Sequence, residues 1–578
     1  MRLVVDSPAN NFVEDKWPDF KDDPRNMRLG LATHGISLFT IAGKSQPYLV
    51  WPVVIMNYNI PPWMSMKKGH LLLSMVIPGP KQPKSLDVYM APLIEELQEL
   101  WDGVPAYDNR KRIDGLRRKF DLRAILLWTM HDYPGFGFLS GLQTKSYMAC
   151  PTCGPDLKSV SRHLEELHKI IYLQHTQYLE SDHPWRKDSQ YYLNGWNSED
   201  DVRPKPVPKT PQYWKGVWER VYDPDDTLQY ERCDVIFKSS LNDLEYWPHL
   251  LVNHLLDPMH IEGNIGKSLI KHLYGEKSKN WREACVELNM HPDLWSYKEA
   301  GGRTVNPSAP WVLSKEERKE FRRRIGTLRF PTNYGANLRR AFGENDLDNW
   351  PSYLKTHDWH RLLQHILPVA IIGLSNPDLR KAIWSLGKLL RWVCSKTIKE
   401  EDLEDMDKFG AEVLCDLERC LPPSFFNGQV HLLVHLAREV KLAGPVHCRW
   451  MYWVERYMGV LKRHVRNKQW VKGSIAEGHL ATESMFFCTS IMSTINPNAP
   501  RGWVEHDDIE DDRLTGATKD RRLSEVELHQ VNTMMLSNSE ITEKWRDFYE
   551  GEKTLARRPR TFPTFLTYMR RSWRIWMS

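Results

Sequence analysis

The 578-residue chain contains no apolar run approaching the ~18 residues that a membrane-spanning helix needs. Its opening, Met1-Arg-Leu-Val-Val-Asp6, lacks the apolar core of a secretory signal, so a soluble intracellular protein with no membrane partner is expected. Cysteine is sparse: nine residues, an odd number without regular spacing, exclude a disulfide-stapled module and suit free or metal-bound thiols in a reducing compartment. Neither sign of charge dominates, and a net charge of +5 permits nucleic-acid contact without implying it. Internal repeats are absent. So are a Gly-x-Gly-x-x-Gly after a strand, a phosphate loop ending in Gly-Lys-Ser/Thr, and a Gly-x-Ser-x-Gly elbow, which leaves nucleotide-binding and serine-hydrolase readings unsupported.

What is present is the composition of a globular protein, 41% hydrophobic with 24 tryptophans, long enough for several domains or one large domain with an insertion. The most informative stretch is 122–153. Residues 124–130 form a short apolar run suited to a strand buried on both faces, and it stops at Asp132, before the turn-forming Tyr133-Pro134-Gly135. A carboxylate at the end of a buried strand is placed for metal binding or acid–base work, or simply to cap a helix. Cys150-Pro-Thr-Cys153 follows, two thiols close enough to share a zinc ion or to lie buried as ordinary core.

Upstream, residues 1–26 are polar and broken by prolines at 8, 18 and 24, an irregular lead-in. Residues 27–33 alternate as a half-covered strand does and end at His34-Gly35. A second strand is expected over 48–58, with Pro52 demanding a bulge or an edge, and a third over 70–77. Ser85 can cap a helix with Val88, Leu93, Ile94, Leu97, Leu100 and Trp101 on one face. Three strands, a helix and a buried strand make the first half of an RNase H-like fold, over 27–153.

Residues 154–357 read as a mainly helical insertion. It holds a helix near 160–178, a Pro/Lys linker over 203–211 and a basic helix over 315–324. The last mixes both signs, as a solvated face does, although Arg318, Lys319 and Arg322 to Arg324 could also meet phosphates. Residues 358–490 are helical, with core spacing over 362–373 and 379–394. Residues 491–578 form a polar, partly flexible tail with an acidic run at 505–512 and a basic, aromatic end at 570–574. The expected fold is therefore α/β: an RNase H-like mixed sheet interrupted by a long helical insertion and followed by a mainly α C-terminal region.

Many separated motifs carry a resemblance. They are Asp23-Pro-Arg-Asn-Met-Arg-Leu-Gly-Leu-Ala-Thr-His-Gly35, Trp51-Pro52, Tyr58-Asn-Ile-Pro-Pro-Trp63, Ile77-Pro-Gly-Pro-Lys81, Asp87-Val-Tyr89 and Leu126-Leu-Trp-Thr-Met-His-Asp132. Asp257-Pro-Met-His-Ile-Glu262, Leu313-Ser-Lys-Glu-Glu317, Lys355-Thr-His-Asp358, Leu442-Ala-Gly-Pro445 and Gly473-Ser-Ile-Ala-Glu477 continue it. Together, over about residues 1 to 490, the chain closely resembles the transposases of plant CACTA (En/Spm-type) elements. The resemblance implies a nuclear protein that binds DNA, either element ends or non-specific duplex, with self-association left open. It also implies an N-terminal zinc-binding module that this sequence lacks, so the chain is expected to be truncated.

Such transposases use an Asp-Asp-Glu set to hold magnesium or manganese for strand cleavage, since hard cations need convergent carboxylates. Asp132 fills the second place. The first falls on His34, a poor magnesium ligand, so cleavage is expected to be impaired. For the third place Glu455 competes with Glu262. His431-Leu-Leu-Val-His435 has zinc-ligand spacing, although a His pair on a helix can be ordinary surface. The order Asp, Cys-x-x-Cys, insertion, His-x-x-x-His, Glu is similar to the V(D)J recombinase catalytic subunit. That similarity implies a structural zinc on Cys150, Cys153, His431 and His435 that brings Glu455 towards Asp132. The rival assignment uses Glu262 with His254 and His260 as ligands. Arg456, Lys462, Arg463 and Arg466, with Trp450, Tyr452, Trp453 and Tyr457 nearby, suit a surface that follows a DNA backbone, or a plain charged helix face.

Overall fold

A mixed sheet positions everything that follows. In chain order its first strands are β1 (Met27–Thr33), β2 (Ile36–Thr40), β3 (Pro47–Asn57) and β4 (Leu72–Ile77). A separate hairpin of β5 (Val104–Ile113) and β6 (Leu116–Leu122) leads into β7 (Ala124–His131), which the apolar run anticipates and which is buried along its whole length. A second hairpin, β8 (Ser161–Leu164) with β9 (Lys169–Tyr172), precedes the short β10 (His254–Leu255). The sheet runs β10-β7-β1-β3-β2, with β4 also on β3. β7 lies parallel to β1, and β10 parallel to β7, whereas β3 is antiparallel to β1 and to β4.

The computed structural model describes residues 1–495 except 41–46, 82, 84, 114–115, 145, 148, 160, 166–167, 189–203, 222–237, 276–279, 330–335 and 343–353. The chain divides into two units, Met1–Asp508 and Ile509–Ser578, and all described residues belong to the first. The tail's acidic and basic runs, and Arg203 at the head of the Pro/Lys linker, lie outside the described residues. Among the described residues no helix is long and apolar enough to cross a membrane.

β3 is interior, so Pro52 is not on an edge; it stands beside a shift of register between Val53 and Val54, the irregularity that its missing N–H requires. The helix Asp87–Asp102 covers the sheet with Met90, Leu93, Ile94, Leu97 and Trp101. Val88, expected on that face, is 81% exposed because it falls outside this three- and four-residue stripe. Behind β1, Trp128 of β7 is fully buried and its indole N–H donates to the Tyr58 hydroxyl at 2.9 Å. Gly30 makes room for that hydroxyl, since a Cβ there would stand 2.6 Å from it.

A second core packs the loop that holds Cys150 and Cys153 against the helices Pro258–Leu273, Pro377–Val393, Leu403–Cys420 and Leu433–Ala443. Here one expectation is corrected. Ser161–Leu164 and Lys169–Tyr172 pair as the strands β8 and β9, and His175–Tyr178 is a short turn, in place of the expected helix. His168, at a positive φ of 47°, lies where the chain reverses, a conformation that ends regular structure instead of propagating it. The helical reading of 358–490 agrees with Pro377–Val393, Leu403–Cys420, Leu433–Ala443, Tyr452–His464 and Val471–Ile495.

Candidate metal and nucleic-acid site

Parallel pairing decides what stands at the carboxyl end of the sheet. Thr33 of β1 is the register partner of His131 of β7, so the next residues, His34 and Asp132, emerge side by side. His34 Nδ1 lies 3.1 Å from Asp132 Oδ2. The other oxygen of Asp132, Oδ1, accepts from the backbone N–H of Gly135 at 2.8 Å and so caps the helix Tyr133–Ser140. Capping and site membership, alternatives in the sequence, coexist here on different oxygens. Burial raises the Asp132 carboxyl, but the neighbouring His34 imidazole, the Gly135 N–H and the charge of His260 outweigh it and hold the group below the usual carboxylate range.

The next strand adds a third acid. β10 ends at Leu255, and Asp257 caps the helix Pro258–Leu273, accepting from Met259 and His260 N–H groups. The same carboxylate receives His260 Nδ1 at 2.5 Å and the Met451 N–H at 3.1 Å, which fixes the start of the helix Tyr452–His464. On that helix Glu455 Oε1 lies 3.2 Å from His260 Nε2. Ligand atoms of His34, His260 and Glu455 all stand within 4.8 Å of one another. Burial lowers His260, yet the paired carboxylates of Asp257 and Glu455 overcome it and lift the imidazole to about 10.

Glu455 therefore shares a site with His34, and through it meets Asp132. Glu262 does not. Its buried carboxylate accepts from His360 at 2.6 Å and from Gln364 at 2.7 Å, with the Cys394 thiol 3.8 Å away, in a separate pocket. The two histidines named with it part company: His260 faces Glu455, and His254 Nδ1 lies 2.7 Å from the Thr129 hydroxyl, which His131 Nε2 also reaches at 3.0 Å.

The thiols and the histidine pair do converge. Cys150, Cys153, His431 and His435 are all buried, and their ligand atoms lie within 4.8 Å of one another. His431 and His435 Nε2 atoms are 3.3 Å apart; Cys153 Sγ is 3.6 Å from the first and 3.1 Å from the second. Burial raises Cys150, but the Cys153 thiol and the His435 and His431 imidazoles pull it well below the usual thiol range, while Cys153 is pushed well up. Cys150 is thus the thiol of the pair held towards its ionised form, and burial brings the neighbouring His431 down to about 4. Behind His431, His175 Nε2 lies 3.3 Å from Nδ1, and His175 Nδ1 is bonded to Glu418.

Asp257 entered the sequence reading only as the first residue of the Asp257–Glu262 motif, and His175 and Glu418 did not enter it. Asp257 carried a usable signal, because Leu255-Leu-Asp-Pro258 repeats the pattern of a short apolar end, an acid and a proline seen at 130–134. His175 and Glu418, 243 positions apart, carried none.

The four cations Arg456, Lys462, Arg463 and Arg466 are exposed beside the site, and Lys462 Nζ donates to the Ser37 carbonyl. Their aromatic neighbours are turned elsewhere. Trp453 and Tyr457 are buried in the sheet core, and Trp450 and Tyr452 pack edge-to-face against each other and against His360. On the helix Lys315–Thr327, Arg322 is buried, Arg323 and Arg324 bind Glu320, and Arg324 also donates to the Ala370 carbonyl. That arrangement favours a structural helix.

Two family models match parts of the chain. Residues 1–212 match the transposase family tnp2, and residues 393–502 match a domain of unknown function, DUF4218. The first match contains His34, Asp132, Cys150 and Cys153; the second contains His431, His435 and Glu455. Each cluster thus draws residues from both regions. No curated protein matches the chain.

Proposed function

We infer that this transposase-derived chain is a DNA-binding relative of the CACTA (En/Spm-type) transposases whose strand-cleavage site is impaired. The strand order supports an RNase H-like reading: β1 is central, with β3 antiparallel to it and to β4 on one side, and β7 and β10 parallel to it on the other. The observation that carries the functional reading is His34 beside Asp132, at the place where the resemblance implies an aspartate. Without a carboxylate there, the donor set offers oxygen from Asp132 and Glu455 but nitrogen from His34 and His260. Paired magnesium ions need several hard oxygen ligands, so these residues do not fit them.

The other metal implied by the resemblance does fit. Tetrahedral zinc with bonds of ~2.3 Å to sulfur and ~2.05 Å to nitrogen spaces two nitrogens about 3.3 Å apart and a sulfur and a nitrogen about 3.6 Å apart. The His431–His435 and Cys153–His431 separations of 3.3 and 3.6 Å meet those values, and the 3.1 Å between Cys153 and His435 opens slightly. Cys150, Cys153, His431 and His435 would hold the ion, which supplies a structural cross-link and no chemistry.

DNA binding draws on the exposed Arg456, Lys462, Arg463 and Arg466 next to the acidic site, since phosphate contacts give affinity without reading bases. A protein acting on chromosomal DNA works in the nucleus. The test compares the unaltered chain with His34→Asp on an element-end duplex, with magnesium or manganese. Cleavage only after restoration is the expected result, together with salt-dependent binding by both. Cleavage by the unaltered chain overturns the assignment of impairment; absence of binding by both leaves a transposon remnant.

A further inference from the structure

We propose that His34, His260 and Glu455, with Asp132 at their edge, form a second metal site that takes a borderline divalent ion such as zinc, cobalt or nickel in preference to magnesium. Three elements supply it: the loop after β1, the first turn of the helix Pro258–Leu273 and the first turn of the helix Tyr452–His464. Their ligand atoms all lie within 4.8 Å of one another.

Several observations point to an ion rather than to hydrogen bonds alone. His34 Nδ1 is buried and has no well-aligned hydrogen-bond partner, its neighbour being the Asp132 Oδ2 ion-pair oxygen at 3.1 Å. A ring nitrogen and a carboxylate oxygen at that separation have the spacing of neighbouring ligands, although Asp132 stands outside the group that His34, His260 and Glu455 form. His260 Nε2 and Glu455 Oε1, an ion pair at 3.2 Å, have the same spacing, and an ion bound between them takes the place of the imidazolium proton. Ligands ~2.0–2.2 Å from one ion stand about 3.0–3.5 Å apart for octahedral to tetrahedral geometry.

His260 is also prepared as metal-binding histidines are. Its Nδ1 is held by Asp257 at 2.5 Å, which fixes the ring and turns Nε2 towards Glu455. Imidazole nitrogen suits zinc, cobalt and nickel, whereas magnesium keeps to oxygen, so the donor set states the preference. The side chains of His34, His260 and Glu455 are 21%, 22% and 35% exposed, so an ion has a route in and a position open to solvent. The Cys150/Cys153/His431/His435 cluster is closed by comparison, each member being buried.

The proposal does not depend on DNA binding, so either reading can fail alone. The experiment uses the full chain carrying one equivalent of zinc, titrated calorimetrically with Zn²⁺, Co²⁺, Ni²⁺ and Mg²⁺, with metal analysis and the cobalt visible spectrum. A second equivalent is expected for the first three ions. The cobalt form should show ligand-field bands without the thiolate-to-cobalt bands that exchange into the cysteine site would produce. His34→Gln and Glu455→Gln should each weaken the second equivalent by about tenfold or more, while the first zinc is retained and reports intact folding. His34→Asp should shift preference towards Mg²⁺ and Mn²⁺. Absence of a second equivalent in the unaltered chain, or binding undiminished in both variants, overturns the proposal.

Discussion

Cys153 Sγ and His435 Nε2 lie 3.1 Å apart although 282 positions separate them in the chain. The contact ties the loop after β7 to the helix Leu433–Ala443, while in the sheet core the Met451 N–H bond to Asp257 fixes the helix that carries Glu455. A closed Cys₂His₂ cluster at such a junction bears on folding more than on chemistry.

Removing that cross-link should therefore be costly. Cys153→Ser and His435→Ala are each expected to lose one bound zinc by metal analysis and to destabilise the chain by more than about 4 kcal/mol, the range typical of a lost structural metal. Chelator titration of the unaltered chain, followed by circular dichroism, should reproduce the loss. An unchanged melting temperature in either variant would show that the four residues are ordinary core.

The ring behind the cluster gives a subtler prediction. Glu418 is bonded to His175, and His175 Nε2 stands 3.3 Å from His431 Nδ1. Orienting partners of this kind raise metal affinity by about 10–100-fold. His175→Phe and Glu418→Gln should lower zinc affinity by that factor in a competition assay with a chromophoric chelator. Equal affinity in all three proteins would reduce the chain of groups to packing.

How much of this was legible in the sequence depends on the range of each signal. Residues 124–130 gave the buried strand and its terminal Asp132 because apolar continuity and a following turn are local features. Cys150/Cys153 and His431/His435 were each readable by spacing, and the resemblance supplied the pairing between them. The β8–β9 hairpin was missed because short apolar runs at 161–172 do not distinguish strand from helix by periodicity. Trp453 and Tyr457 were read beside the cations, yet with Val454, Met458 and Leu461 they form a helical stripe that belongs to the core. His260 illustrates the harder limit, since its partner Glu455 is set only by the tertiary fold.

The sheet core offers a steric test. Gly30 faces Tyr58, whose hydroxyl receives the Trp128 indole N–H. A methyl group at position 30 would meet that hydroxyl at 2.6 Å and push the ring off its partner. Gly30→Ala is expected to cost about 1–3 kcal/mol by urea denaturation. Tyr58→Phe in the same background should recover little of the loss, because ring atom Cε2, 2.7 Å from the added methyl, stays after the oxygen is removed.

Buried histidines set the response to acid. Burial lowers His131 to about 4, against the raising influence of Asp132 and Asp257, and lowers His254 well below its ordinary value. Both rings meet the Thr129 hydroxyl, whose single proton can be donated to only one of them. The unfolded chain binds protons at these positions near pH 6.5, before the folded chain does, so stability is complete above that pH and falls as pH drops towards 4. For His131 the loss is on the order of 3 kcal/mol. His131→Gln should flatten the melting temperature between pH 6.5 and 4. A slope as steep as that of the unaltered chain would assign the acid sensitivity to other groups.

The exposed cations can be tested through salt. If Arg456, Lys462, Arg463 and Arg466 each neutralise a DNA phosphate, every substitution by alanine should lower the slope of log affinity against log salt by about 0.9. Their effects should be nearly independent of DNA sequence, since phosphates carry no base identity. Lys462→Ala is the most informative member. It also removes the bond to the Ser37 carbonyl, so a loss of stability without a change in salt slope would make that lysine a strut for β2 rather than a contact for DNA.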